Sequence, residues 1–154
     1  MKTEENKPMT IEFFHDVLCA WCFAFSPRLE KLEQQFPEQV SIVHRAFALA
    51  PSTDGIERIF GSKEQGKIEI IEHWQQANLN FDTLKICAKE IGLDVEQWEK
   101  DYSSEKVKQT LNEDFQQAHM YGVNAVTTIV ANGKHKLSGA QPYAVLDEWF
   151  RKLI

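Results

Sequence analysis

The 154-residue sequence has few cysteines, no long apolar run and no excess of basic residues. Its three cysteines are an odd number, which makes a framework of structural disulfides a poor explanation. The net charge of −6 argues against a nucleic-acid partner, because such proteins need a basic surface. No segment approaches the roughly 18 apolar residues of a membrane span, and residues 1–8 lack the apolar core of a signal peptide. We therefore expect a cytoplasmic globular protein without membrane or nucleic-acid contacts.

Two of the cysteines are separated by two residues, at a predicted junction between a strand and a helix. The apolar run at 10–15 predicts a strand that is covered on both faces. A helical pattern begins near residue 20 and extends to about residue 36, with apolar residues at spacings of three and four. A Cys-x-x-Cys pair at such a junction, here Cys19 and Cys22, is typical of thiol–disulfide chemistry. Structural cysteines and half of a metal site are the alternatives.

The positions of the two thiols suggest different roles. Cys19, at the start of the helix, would face unpaired backbone N–H groups and the positive end of the helix dipole, which favour a thiolate. It is therefore the candidate nucleophile. Cys22 is one turn further along and more buried, so it is the candidate that attacks a mixed disulfide on Cys19 and releases the product. Ala20 and Trp21, between them, carry no charge and add no cation that would stabilise the thiolate.

Three neighbours of the pair are further candidates. Trp21 is expected either to form an apolar lip for the substrate or to pack against the helical part of the chain. His15 and Asp16 are candidates for tuning the thiol pKa or relaying a proton, although polar residues at a strand end are also common turn formers. The third cysteine, Cys87, lies along the apolar stripe of a predicted helix, so we expect it to be buried and inert.

The whole pattern predicts the order β-α-β, a helical block, then β-β-α. A second strand is predicted at 40–47, and residues 53–121 show only helical periodicity, which indicates a helical insertion in a single domain. A β-branched run at 126–130 is followed by Asn132-Gly133, the strongest short hairpin signal. The predicted apolar faces comprise Ile68, Ile71 and Trp74; Phe81, Leu84, Ala88 and Ile91; Val107, Leu111, Phe115 and Ala118; and, in a last helix opened by Pro142, Leu146, Trp149, Phe150 and Leu153.

This order, with Cys-x-x-Cys opening the first helix, resembles the thioredoxin fold with an inserted helical subdomain. The segments at 13–22 (FFHDVLCAWC), 122–133 (GVNAVTTIVANG) and 137–142 (LSGAQP) are similar to DsbA-like oxidoreductases, and within them to the FrnE-type branch. The resemblance implies an α/β thioredoxin-like domain made of 9–52 and 122–154. It also implies that Cys19 and Cys22 exchange disulfides with protein thiols or with small thiols such as glutathione, without a cofactor beyond their own disulfide.

The sequence departs from that family in two ways. Family members have a cis proline directly after the residue that corresponds to Val126, facing the cysteine pair, and this chain has Thr127 there. We expect either a trans bond with a reshaped loop or a retained cis bond. Because this loop presents backbone groups to the substrate in the family, Val126 and Thr127 join Trp21 as candidate substrate-binding residues. The helical block also looks shorter than usual, with a break in its pattern near residues 78–80.

Three alternatives remain open. With Thr127 in place of proline, an exposed Cys19/Cys22 pair could bind Zn²⁺ together with the same pair of a second protomer, because four thiolates complete a tetrahedral site. No metal site is predicted within one chain. A glutathione-dependent isomerase or transferase of the kappa-like branch shares this architecture, but such enzymes tend to have Ser at the first cysteine. A non-catalytic binding module is the other alternative, and the protein is expected to be either a monomer or a homodimer.

Overall fold

The computed structural model describes residues 7–49, 57–58, 61–62, 64–65 and 81–154, and the elements are numbered within these ranges. Strand β1 (Met9–His15), helix α1 (Ala20–Gln35) and strand β2 (Val40–Ala46) come first. Helices α2 (Phe81–Glu90), α3 (Val95–Tyr102) and α4 (Glu105–Met120) follow. Strands β3 (Thr128–Ala131) and β4 (His135–Ser138) and helix α5 (Tyr143–Arg151) end the chain. The predicted order of strands and helices is confirmed.

The four strands form one mixed sheet in the order β2-β1-β3-β4. Strand β1 pairs in parallel with β2, so α1 is the crossover that parallel neighbours require. Strand β3 pairs antiparallel with both β1 and β4, and Ile129 lies opposite Phe13 on one side and Leu137 on the other. This is the predicted thioredoxin-like α/β arrangement, and it places the start of α1 at the carboxyl end of the central strand β1.

Strand β1 is covered on both faces, as its continuous apolar run predicts. Ile11 and Phe13 pack in one core with residues of α1 and α5. Phe14 packs on the other face, with Ala118 of α4 and Val130 of β3. Of the predicted core residues in the last helix, Leu146 and Phe150 are fully buried, and Trp149 and Leu153 are partly buried against the same cluster. Each fully buried side chain of this size contributes about 1.5–3 kcal/mol, so both layers of helices hold β1 in place.

The β3–β4 hairpin turns at the predicted Asn-Gly pair. Asn132 and Gly133 have φ values of 47° and 68°, which is the left-handed region that such a turn requires. Asn132 also accepts a hydrogen bond from the backbone N–H of Thr10 at 3.0 Å. The turn is therefore fixed to the beginning of the central strand.

The chain divides into two compact units, one comprising Met1–Leu49 and Asp114–Ile154 and the other Ala50–Glu113. The predicted insertion ends at residue 121, whereas the second unit ends at Glu113, because α4 from Asp114 onward belongs to the first unit. In the second unit, rings of α2 and α3 lie 5.2–5.6 Å apart, namely Phe81, Trp98 and Tyr102. The predicted stripe of Ile68, Ile71 and Trp74 and the break near 78–80 lie outside the described residues.

Three predictions about the helical block are wrong. Cys87 is exposed, because α2 turns its neighbour Ala88 inward instead. Ala88 is buried as predicted, but Phe81 and Ile91 of the same predicted face are exposed. In α4, Ala118 is buried as predicted, but Val107, Leu111 and Phe115 are exposed and Asp114 is buried. Asp114 is buried because Arg45 and a backbone N–H of β2 bind its carboxylate. None of the helices in the described ranges has the length and apolar character needed to cross a bilayer.

Candidate active site

Cys19 is the N-cap residue of α1, and Cys22 lies in the first turn. The Cys19 sulfur accepts a hydrogen bond from the backbone N–H of Cys22 at 3.3 Å. Its carbonyl oxygen accepts from the N–H groups of Cys22 and Phe23 at 3.0 and 3.2 Å. The first N–H groups of a helix have no partner within the helix, so the Cys19 sulfur takes the place of a capping oxygen. Both thiols are free, and the structure puts them at the predicted junction.

The two thiols are more buried than the sequence suggests. Cys19 is 5% exposed and Cys22 is 3% exposed, since both side chains join the core cluster that includes Phe25. The zinc hypothesis assumes that the cysteine pair is exposed, and this assumption is therefore wrong. Within the described ranges, no three His, Cys, Asp or Glu side chains form a group that could hold a metal ion.

The apolar side chains beside the pair point outward instead. Trp21 is 72% exposed and Phe23 is 83% exposed. Val17, in the turn before α1, is also exposed. Both interpretations of Trp21, a lip for the substrate and packing against the helical block, stay predictions. A partner that reaches Cys19 would therefore meet an apolar surface on α1 and on the turn before it.

Thr127 lies against the buried thiol of the pair. Its hydroxyl donates a hydrogen bond to the Cys22 sulfur at 3.3 Å, and Thr127 is only 3% exposed. The peptide bond between Val126 and Thr127 is cis, which is one of the two expected conformations. The carbonyl oxygen of Thr127 accepts from the backbone N–H of Gly139 at 2.8 Å. Thr127 therefore faces the cysteine pair, while Val126 is partly buried and packs against both core clusters. Their role in substrate binding stays a prediction.

Burial dominates the acidity of the second thiol. Burial, and after it a hydrogen bond with Cys19, raise the pKa of Cys22 to about 11. The hydroxyl of Thr127 and a backbone hydrogen bond from Asp16 lower the pKa of Cys22 again, but by less. Cys22 is therefore a protonated thiol at neutral pH, and the Thr127 hydroxyl and the Asp16 backbone stabilise its charged form.

Asp16 has the geometry of a turn-forming residue. One carboxylate oxygen accepts from the backbone N–H of Leu18 at 2.9 Å, and the other accepts from that of Leu49 at 2.6 Å. Its own carbonyl accepts from the N–H of Cys19 at 3.0 Å. Asp16 thus holds the strand-to-helix turn to the segment after β2 and fixes the position of Cys19.

His15 makes a contact that the sequence analysis did not foresee. Its Nε2 lies 3.1 Å from Nδ1 of His44, and its ring stacks on Phe13 at 4.6 Å. Burial, and then the charge of His44, lower the pKa of His15, while Asp16 and Asp114 oppose the shift. The signal that could have found this pair is the register of the parallel strands, in which His44 lies opposite Phe13, two residues before His15.

A second polar group that the sequence analysis missed involves the central strand. Arg45 donates to Glu12 at 2.9 Å and to Asp114 at 3.0 Å, and both carboxylates are almost completely buried. Arg45 is 33 positions from Glu12 and 69 positions from Asp114, so no local pattern reveals the link. The group connects β1, β2 and α4 within the first unit.

Comparison with protein families gives two matches that together extend along most of the chain. A DSBA-like thioredoxin domain matches residues 10–82, which contain the cysteine pair. A thioredoxin family model matches residues 63–148, more than half of the chain, which contain Thr127 and the β3–β4 hairpin. A search of curated proteins finds no match.

Several solved structures share the fold over nearly their whole length. DsbA of Pseudomonas aeruginosa has a TM-score of 0.68 and 18% identity, over 99% of this chain and 88% of that one. The thiol-disulfide exchange protein alpha-DsbA2 of Wolbachia pipientis has a TM-score of 0.67 and 17% identity, over 98% and 84%. A thioredoxin-like oxidoreductase of Silicibacter pomeroyi DSS-3 has a TM-score of 0.68 and 19% identity, over 96% and 87%. The chain therefore belongs to the thioredoxin family, and its residues 10–82 match a DSBA-like thioredoxin domain.

Proposed function

We propose that the protein exchanges disulfides with protein thiols or small thiols through Cys19 and Cys22. The observation that carries the proposal is the position of the two sulfurs at the first turn of α1. The N–H of Cys22 is bonded to the Cys19 sulfur at 3.3 Å, and both side chains lie in the same core cluster. Attack of one sulfur on the other therefore needs little rearrangement, which is the main requirement for an efficient intramolecular step.

In the oxidising direction, a client thiolate attacks the Cys19 sulfur of the Cys19–Cys22 disulfide. That disulfide breaks, and Cys22 leaves as a thiolate and takes a proton from solvent. A second client thiolate then attacks the client sulfur of the mixed disulfide, so a client disulfide forms and Cys19 is released. Two electrons pass from the client to the protein, and the reducing direction is the same sequence reversed.

The exposed apolar residues beside the pair support a polypeptide client. Trp21 and Phe23 offer large apolar surfaces within the first turn of α1, and Val17 adds a third before it. Exposed apolar surface of this kind is typical of sites that bind other proteins. In this proposal Trp21 is the lip for the client, and the backbone near Val126 and Thr127 is its second contact. Glutathione is the candidate small thiol, and the redox-active disulfide replaces a cofactor.

The finer placement of the protein is also part of the proposal. The segments at 122–133 and 137–142 support the FrnE-type branch. An odd set of three cysteines is a poor framework of structural disulfides, which supports a reducing compartment such as the cytoplasm. Fractionation of cells of the source organism, with the tagged full-length protein, would test the location.

Thiol trapping in graded glutathione buffers tests the activity. In a Cys87→Ser background, the protein is equilibrated from reducing to oxidising ratios, quenched, alkylated and weighed by mass spectrometry. The expected result is a single transition to a Cys19–Cys22 disulfide that is lost in the Cys22→Ser variant. If no intramolecular disulfide forms under the most oxidising ratio, the proposal is wrong.

A non-catalytic binding module is the second candidate, and the burial of Cys19 is the observation that favours it. Binding of an unfolded, reduced client to the wild type and to the Cys19→Ser, Cys22→Ser variant separates the two functions. Equal affinity together with no disulfide exchange by the wild type would favour the module. Exchange by the wild type that the double variant lacks would favour the oxidoreductase.

A further inference from the structure

We propose that Thr127 is a catalytic residue, whose hydroxyl holds the Cys22 sulfur by a hydrogen bond while that sulfur carries negative charge. The inference rests on the proposed function, since it concerns the step in which Cys22 attacks or leaves. Thr127 Oγ1 lies 3.3 Å from the sulfur, across 105 positions of sequence. It therefore touches a reacting atom directly.

The backbone around Thr127 is fixed on both sides. Its carbonyl oxygen is bonded to the N–H of Gly139 at 2.8 Å. The hydroxyl of the next residue, Thr128, donates to the carbonyl of Ala125 at 2.8 Å. These bonds hold the segment before β3, so the Thr127 hydroxyl is preorganised toward Cys22 and is not a freely rotating surface group.

Burial makes this donor important. Cys22 and Thr127 are each 3% exposed, so water does not readily replace the hydroxyl. A hydrogen bond to a charged acceptor is about twice as strong as one between neutral groups, and the difference grows in a low-dielectric interior. Burial raises the pKa of Cys22, and the Thr127 hydroxyl is the first of the two groups that oppose this. Removing it would take away one of the donors that stabilise the Cys22 thiolate.

The step itself needs no further reactant. When Cys22 gives up its proton to solvent and attacks the Cys19 sulfur of a mixed disulfide, the new Cys19–Cys22 bond forms and the partner leaves as a thiolate that solvent protonates. In the opposite direction Cys22 leaves as a thiolate. The Thr127 hydroxyl keeps its own proton throughout and stabilises the Cys22 charge in both directions.

Stopped-flow reaction with a chromogenic aromatic disulfide tests the inference in a Cys87→Ser background. The first release of aromatic thiol reports attack by Cys19, and the second reports attack by Cys22. Thr127→Val removes the hydroxyl and keeps the branched shape, so we expect the second phase to slow roughly threefold to fourfold, and by a larger factor than the first. Thr127→Ser restores the donor and should stay within about twofold of wild type. An unchanged second phase in Thr127→Val would overturn the inference, whereas absence of any second phase in wild type would instead contradict the proposed function.

An equilibrium titration of Cys22 tests the role of Thr127 even if the wild type shows no second phase. In Cys19→Ala, Cys87→Ser protein, the ¹³Cβ chemical shift of Cys22 follows its ionisation with pH. Thr127→Val should move the onset of ionisation upward by about one pH unit, and Thr127→Ser should not. Thr127→Ala replaces Thr127→Val if the latter does not fold, as judged by circular dichroism. Identical titrations of the Thr and Val proteins would show that Thr127 only fills space.

Discussion

The backbone N–H of Cys22 donates to the Cys19 sulfur at 3.3 Å, within a single turn of helix. The backbone of Cys22 is thus fixed against the Cys19 sulfur before any disulfide forms. This arrangement predicts that Cys19 forms the mixed disulfide with a client and that Cys22 resolves it.

The Cys22→Ser variant should therefore accumulate a mixed disulfide with an oxidised client peptide, because the attack that resolves it is missing. Mass spectrometry of alkylated samples would show protein plus one peptide. The Cys19→Ser variant is the matched control and should show none. A mixed disulfide on Cys22 in that control would reverse the two roles.

The raised pKa of Cys22 predicts a loss of stability at alkaline pH. The folded protein holds its Cys22 proton up to about pH 11, whereas a thiol in the unfolded chain loses it near pH 9. Stability from this group is therefore complete below about pH 9 and is lost as the pH rises toward 11, by an amount on the order of 2 kcal/mol. Urea unfolding of reduced protein at pH 8 and pH 11 measures the change. The Cys22→Ala variant isolates the thiol from the tyrosines and lysines, and the same pH dependence in that variant would contradict the assignment.

The lowered pKa of His15 predicts the opposite dependence at acid pH. Burial, followed by the charge of His44, disfavours protonation of His15 in the folded protein. Its contribution to stability is therefore present above pH 6.5 and is lost as the pH falls below that value. His44→Gln should raise the pKa of His15 only part of the way to 6.5, because the burial remains. Imidazole C–H chemical shifts measured by NMR would show this, and a pKa that does not move would exclude the His44 contact as a cause.

The buried carboxylates around Arg45 predict that loss of the Arg45 charge lowers the free energy of unfolding strongly. Arg45→Met leaves Glu12 and Asp114 without their shared partner, so the free energy of unfolding should fall by about 3 kcal/mol. Lys85→Met removes the more exposed pair with Glu99 and should cost less than about 1 kcal/mol. Urea denaturation of both variants tests the difference. Equal losses would show that burial of the carboxylates does not matter.

The exposure of Trp21 predicts an effect on clients but not on folding. Trp21→Ser should leave the unfolding free energy within about 0.5 kcal/mol of wild type, because surface positions contribute little. It should raise KM for an apolar peptide disulfide and leave the rate with glutathione disulfide unchanged. Tyr102→Ser, an exposed aromatic residue in the other unit, is the matched control. A parallel fall in both rates would place Trp21 in the chemistry rather than in client binding.

The sequence by itself determined the parts of the protein that depend on neighbouring residues. The apolar run of β1 and the cysteine pair at the start of α1 were predictable, because strand and helix periods and helix ends are local properties. The Asn132-Gly133 turn was predictable because both residues tolerate positive φ. The resemblance to DsbA-like proteins also placed Thr127 at the cysteine pair.

Only the tertiary structure decided what surrounds those residues. It buried Cys19 and Cys22, exposed Cys87 and turned Asp114 inward, because each depends on partners brought from distant parts of the chain. Thr127 and Cys22 are 105 positions apart, and no periodic pattern records that a hydroxyl meets a sulfur across that distance. The sequence determined where the thiols lie in the chain, and packing decided which groups contact them and affect their ionisation.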